Sequence, residues 1–141
     1  MANMDIYLIF NGDCDQAFSL YESAIGVPVA YRLRYGDKPE MKASEEDKNR
    51  ILHITLPVGN MMIMGSDASS DHPVSAGNSV ALTLYTDNAP EAERLFARLS
   101  EGGRVTVPLG KTFFADLYSM FFDKFGVQWM IIFEGVSKSG T

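Results

Sequence analysis

The chain has 141 residues, 46% hydrophobic and 21% charged, with a formal charge of −6. That composition is ordinary for a globular protein, and the length suffices to bury roughly two thirds of the unfolded surface without a disulfide or structural metal. The 12 Lys and Arg form no cluster, which argues against nucleic acid as a partner because phosphate neutralisation needs a concentrated basic surface. No run approaches the ~18 apolar residues of a membrane helix.

The start, Met1-Ala2-Asn3-Met4-Asp5, carries neither a basic region nor a long apolar stretch, and Cys14 is the 1 cysteine. Both features predict a soluble protein of the cytoplasm. Residues 5–10, Asp-Ile-Tyr-Leu-Ile-Phe, read as a strand closed by the turn signal Asn11-Gly12. Asp13 and Gln16 have capping-box spacing, and Cys14, Ala17, Phe18, Tyr21, Ala24 and Ile25 recur on one helical face before Gly26. A second strand is expected at about 28–35, and the charged, aperiodic segment 37–49 reads as a mobile surface loop. Strands at 50–57 and 61–66 are joined by Gly59-Asn60, suited to a type II′ turn, and 67–77 is a second loop.

The pattern then restarts. Ser79–Thr86 reads as a strand, Asp87 as the cap of a helix with Pro90 in its first turn, and Ala92, Leu95, Phe96 and Leu99 as its apolar face, ended by Gly102-Gly103. Strands at about 104–109, 114–122 and 127–134 complete the half. A shift of about 75 residues superposes the two helix patterns, so the chain reads as a duplicated βαβββ unit. The expected fold is α+β: one domain, 1–141, whose modules at about 5–66 and 78–134 form a curved, half-open mixed sheet with helices on the outer face. Residues 135–141 read as a flexible tail.

The duplicated order, Tyr7-Leu8-x-Phe10-x-Gly12, His53 in the third strand, Lys111-Thr112-Phe113-Phe114 and Phe125-Gly126-Val127-Gln128-Trp129-Met130 resemble the vicinal oxygen chelate superfamily, which includes glyoxalases and extradiol dioxygenases. The resemblance spans about residues 5–134 and, within the superfamily, is to the PhnB-like branch, also called demethylubiquinone methyltransferase-like. It implies paired βαβββ modules, commonly homodimeric, with a small-molecule ligand in a concave cleft. A methyltransferase would need a cofactor fold that the pattern lacks. Metal-using members present four ligands, one each from the first and fourth strands of the modules, and those positions here are approximately Ile6, Met62 or Met64, Val80 or Leu82, and Met130. Apolar groups and thioethers do not suit a hard or borderline divalent ion, so no metal and no other cofactor is expected.

Strand parity assigns the ligand-facing side. Taking Leu52, Ile54 and Leu56 as core turns His53 and Thr55 to the cleft, and a two-residue turn carries Met62 and Met64 there. In 127–134 the set Val127, Trp129, Ile131, Phe133 is core, leaving Gln128, Met130, Ile132 and Glu134. A three-residue loop with Gly126 left-handed adds Asp116, Tyr118 and Met120, whereas a four-residue loop removes them. Glu134 lies four residues from Met130, about 13 Å along a strand, too far to share an ion with it. His53 is the candidate catalytic base or ligand-orienting donor, and the methionines are either an adaptable lining or simple filling. Cys14 reads as a small buried residue; His72 and Lys111 read as surface groups. The leading reading is metal-independent binding of an apolar or aromatic small molecule; a lyase, isomerase or dioxygenase with a non-standard metal site and an interaction module closed by its dimer partner are the alternatives. Whether a reaction is catalysed is open at this point.

Overall fold

The β-branched and aromatic run at the start forms β1 (Ile6–Phe10), and the chain passes through Gly12 into α1 (Cys14–Ile25). The computed structural model describes residues 1–137. Cys14, Ala17, Phe18, Tyr21 and Ala24 are fully buried along one side of α1, as the 3.6-residue period requires. Gly26 ends the helix at φ 86°, its N–H donating to the Glu22 carbonyl. The expected capping box is not formed: Asp13 stands at the N-cap without a side-chain cap bond. Asp67, far along the chain, takes that work. Its Oδ1 accepts from Gly12 N at 2.8 Å and Cys14 N at 3.0 Å, and its Oδ2 from Ile51 N at 2.9 Å.

β2 (Tyr31–Arg34) is shorter than its sequence suggests. Within the loop read at 37–49, short 3-10 turns form at Tyr35–Asp37 and Pro39–Met41, and Gly36 N donates to the Lys48 carbonyl at 2.8 Å. β3 (Ile51–Val58) and β4 (Met61–Asp67) follow. Gly59 takes φ 58° between them, and Val58 stands opposite Met61, the register a two-residue turn dictates. The sheet order is β1-β4-β3-β2, with β1 parallel to β4 and the other pairs antiparallel. One expectation of parity fails in β3. Leu33 pairs with His53 but Arg34 with Ile51, so Leu52 is the extra residue of a bulge and Ile51, not Leu52, joins the core.

The second unit repeats the order. β5 (Leu82–Tyr85) is half the length expected for 79–86, and α2 (Ala89–Ser100) carries Pro90 in its first turn. Its cap is Asn88, whose side chain accepts from Glu91 N at 2.8 Å, rather than Asp87. β6 (Arg104–Gly110), β7 (Leu117–Phe122) and β8 (Gln128–Phe133) complete a sheet of order β5-β8-β7-β6. Ala92, Leu95 and Leu99 pack with Phe121, Trp129 and Ile131 in its core, and Phe96 meets Phe121 edge-on at 5.7 Å. Asp123 is the second buried keystone, accepting from Phe125 N, Val127 N and Trp129 Nε1 at 2.9, 3.0 and 2.9 Å. Gly135–Ser137 forms a single 3-10 turn, and the rest of the segment read as a tail, 138–141, lies outside the described residues. The fold is α+β: two repeated βαβββ units, Met1–Ala76 and the chain from Gly77 onward, each with one helix and a four-stranded mixed sheet. Among the described residues no helix is long and apolar enough to cross a membrane.

Candidate functional site

Each sheet buries one face beneath its own helix and leaves the other free of it. In the first unit Phe18 of α1 lies over Gly65, and Ile54, Leu56 and Ile63 are buried on that side. Residues opposite one another in a ladder share a face, so the pairs Tyr7–Met64, Met64–Thr55 and Thr55–Tyr31 form one row across the helix-free face. Met62, His53, Leu33 and Ile9 flank that row on the same side. Tyr7, Ile9 and Tyr31 are 45, 51 and 48% exposed, while His53, Thr55, Met62 and Met64 are half-buried.

His53 is held from two sides. Its Nδ1 lies 3.3 Å from the Tyr7 hydroxyl, the two rings being 5.7 Å apart, and the Tyr31 ring stands 6.1 Å away on β2. Parity alone identified His53 and Thr55 on this face but missed both tyrosines. Ile6, the β1 position expected from the sequence, pairs with Ile63 and turns toward the helix. The alternation of Tyr7 and Ile9 was the signal, and the parallel β1–β4 register, set by no turn, was needed to read it.

In the second unit the equivalent row is Thr83, Met130, Met120 and Val107. Leu82, offered from sequence as a ligand position, pairs with Trp129 and is buried, and Val80 lies before β5, its carbonyl accepting from Gln128 Nε2 at 2.9 Å. Gly126 takes φ 90° and Asp123 N donates to the Val127 carbonyl. The loop is therefore the three-residue form, so Tyr118 and Met120 share the face of Ile132 and Met130. Asp116 stands beyond the end of β7; its Oδ2 accepts from Val136 N at 3.2 Å and its Oδ1 is 3.6 Å from Lys111 Nζ. Phe114, with its ring 5.2 Å from Tyr118 and Phe113 edge-on at 5.1 Å, extends the aromatic cover of this face.

Three groups on the first unit have displaced acidities. Burial, then Asp67, Asp15 and Asp13, push the Cys14 thiol far up, so it is not a nucleophile despite its place in the first turn of α1. Burial followed by Asp47 raises the phenol of Tyr35, which donates to the Asp67 carbonyl at 2.8 Å. Burial would raise Asp15, but Arg34 and Arg32 hold it below the ordinary carboxylate value. His72 is an exposed loop residue beside the Ser69 hydroxyl at 3.3 Å.

The first and fourth strands of each unit offer phenol, thioether, hydroxyl, amide and aliphatic groups on the helix-free face: Tyr7, Met62, Met64 and Ser66 in one, Thr83, Tyr85, Gln128, Met130 and Ile132 in the other. Among the described residues no three His, Cys, Asp or Glu converge. This donor set does not fit the four-ligand arrangement that the resemblance implies, because divalent ions of the harder and borderline kinds want imidazole or carboxylate.

Residues 3–131 match the Glyoxalase/Bleomycin resistance protein/Dioxygenase superfamily. The chain belongs to that superfamily. Among members of known structure, protein PA1353 of Pseudomonas aeruginosa is similar at 41% identity and TM-score 0.87, over 95% of this chain and 98% of that one. The PhnB protein of Bacillus cereus shares the fold at TM-score 0.80 and 21% identity, over 94% and 99% of the two chains. Protein YjdN of Escherichia coli (strain K12) is 29% identical over 135 residues, 89% of this chain and 90% of the relative.

Proposed function

We propose that this superfamily member binds a small, flat, mostly apolar or aromatic molecule without a resident metal, and that the contacts come from the helix-free sheet faces. The observation that carries the reading is the setting of His53: a half-buried imidazole between Tyr7 and Tyr31, beside Met64 and Thr55, on a face that α1 does not cover. Thioethers repack around rings of different shape and contact them favourably, and the two tyrosines supply edges and faces at low entropic cost. Met130, Tyr118 and Gln128 give the second sheet a comparable lining, while Asp116 serves the turn at Gly135. Edge strands β1, β2, β5 and β6 leave backbone groups to be covered, which supports a homodimer, and a single buried thiol suits a cytoplasmic protein.

The test is a melting-shift screen of aromatic metabolites against the natural chain, His53→Ala and Met64→Trp. A ligand at about 100 times its Kd stabilises by about 2.7 kcal/mol, a shift of several degrees for a domain of this size. The expected result is a shift that His53→Ala diminishes and Met64→Trp abolishes. A shift that survives the tryptophan undiminished overturns the reading, and one stoichiometric Zn, Mn, Fe or Ni in dialysed protein replaces it with the metal-dependent enzyme.

A further inference from the structure

We infer that the molecule bound on the first sheet is an uncharged aromatic ketone or aldehyde whose carbonyl oxygen is taken by Nε2 of His53; this rests on the small-molecule reading above. The argument begins with the tautomer. The Tyr7 hydroxyl is 3.3 Å from Nδ1, and a neutral imidazole has one nitrogen that donates and one that accepts. A phenol is the better donor of the pair, so Nδ1 accepts and the ring hydrogen sits on Nε2. Among the described residues no hydrogen-bond partner meets Nε2. His53 therefore offers a fixed donor from the floor of an aromatic and thioether surface made by Tyr7, Tyr31, Met62 and Met64.

Charge selects what that donor takes. The strand residues of this face include no Asp, Glu, Lys or Arg; Arg32 and Arg34 point to the helix side, where both pair with Asp15 at 2.9 Å. A carboxylate or phosphate wants a guanidinium or ammonium partner, and a chain of charge −6 supplies no attracting field. A cation would find no counter-carboxylate. A plain hydrocarbon would bury the Nε2 hydrogen unpaired, which is costly. A neutral carbonyl on an aromatic ring answers both constraints. The second sheet lacks the device: Thr83, Val107 and Tyr118 stand where Tyr7, Tyr31 and His53 stand in the first, so the repeat itself identifies the polar contact as a property of one unit.

Three probes of similar shape test this on the full chain by NMR titration: 2-acetonaphthone, 2-isopropylnaphthalene and 2-naphthoate. The ketone is expected to bind about tenfold more tightly than the hydrocarbon, the worth of one well-made hydrogen bond, with the carboxylate weakest. Tyr7→Phe should cut the preference for ketone over hydrocarbon by about threefold or more, and the 15N shifts of His53 should pass from the Nε2–H tautomer to a mixture. His53→Gln, which keeps a donor, should retain part of the preference that His53→Ala loses. Equal affinity for the three probes, or naphthoate binding best, overturns the carbonyl assignment and leaves the pocket standing; no binding by any of them removes both.

Discussion

Replacing Asp67 by Asn keeps the volume of a side chain that is 1% exposed and changes only its hydrogen bonding. In the natural chain one carboxylate holds three backbone donors from three places: the loop before α1, the first residue of α1 and the first residue of β3. An amide oxygen in the Oδ1 position keeps Gly12 and Cys14 but loses the charge, about 1 kcal/mol for each bond. The amide nitrogen then faces Ile51 N–H, donor against donor, and a buried unsatisfied pair costs about 1–3 kcal/mol. The sum is about 3–5 kcal/mol, a large part of the 5–15 kcal/mol of a typical domain. Urea unfolding followed by far-ultraviolet circular dichroism, which reports on both units, reads it. Asp13→Ala is the companion measurement: without a cap bond to lose, it should cost less than about 1 kcal/mol. A loss below about 1 kcal/mol for Asp67→Asn, or an equal loss at the two positions, refutes the keystone argument.

Gly65→Ala places a methyl 2.7 Å from Phe18 Cε1 and 3.1 Å from the Leu8 carbonyl oxygen, and thermal unfolding should show a loss of about 1–3 kcal/mol from overpacking. Asp15 has a native acidity held below its ordinary value of 3.8 by Arg34 and Arg32, so its contribution is complete above about pH 4 and disappears as the pH falls through the native value. Its pairs are more than a third exposed, which limits the effect to about 0.5–1 kcal/mol; melting temperatures from pH 6 to 2 should fall more steeply for the natural chain than for Asp15→Asn. Cys14 should react with a disulfide reagent at neutral pH more than about 100-fold faster after unfolding, since burial and three aspartates suppress its thiolate in the fold.

The duplicated unit was legible because hydrophobic period, glycine turns and helix stops agree in both halves. The faces of Met62 and Met64 were legible because a two-residue turn leaves no freedom of register, and the three-residue loop with left-handed Gly126 settled Tyr118 and Met120 between two readings. Three features escaped for physical reasons. A bulge such as Leu52 has no sequence signature and shifts parity beyond it. Parallel pairing joins strands far apart in the chain, so sequence offered Ile6 in place of Tyr7 and Val80 or Leu82 in place of Thr83. The capping partners were misjudged: Asp13 holds the N-cap of α1 but Asp67 accepts the backbone donors there, and Asn88 rather than Asp87 caps α2.

Asp67 and Asp123 each fasten a unit from within, at a strand end and away from the residues that line the helix-free faces. Mutations along those linings leave the clasps intact, so the scaffold tolerates drift on those faces. The two halves accordingly carry different side chains at equivalent places, Tyr7, Tyr31 and His53 in one and Thr83, Val107 and Tyr118 in the other, on the same frame, a separation of framework from contents.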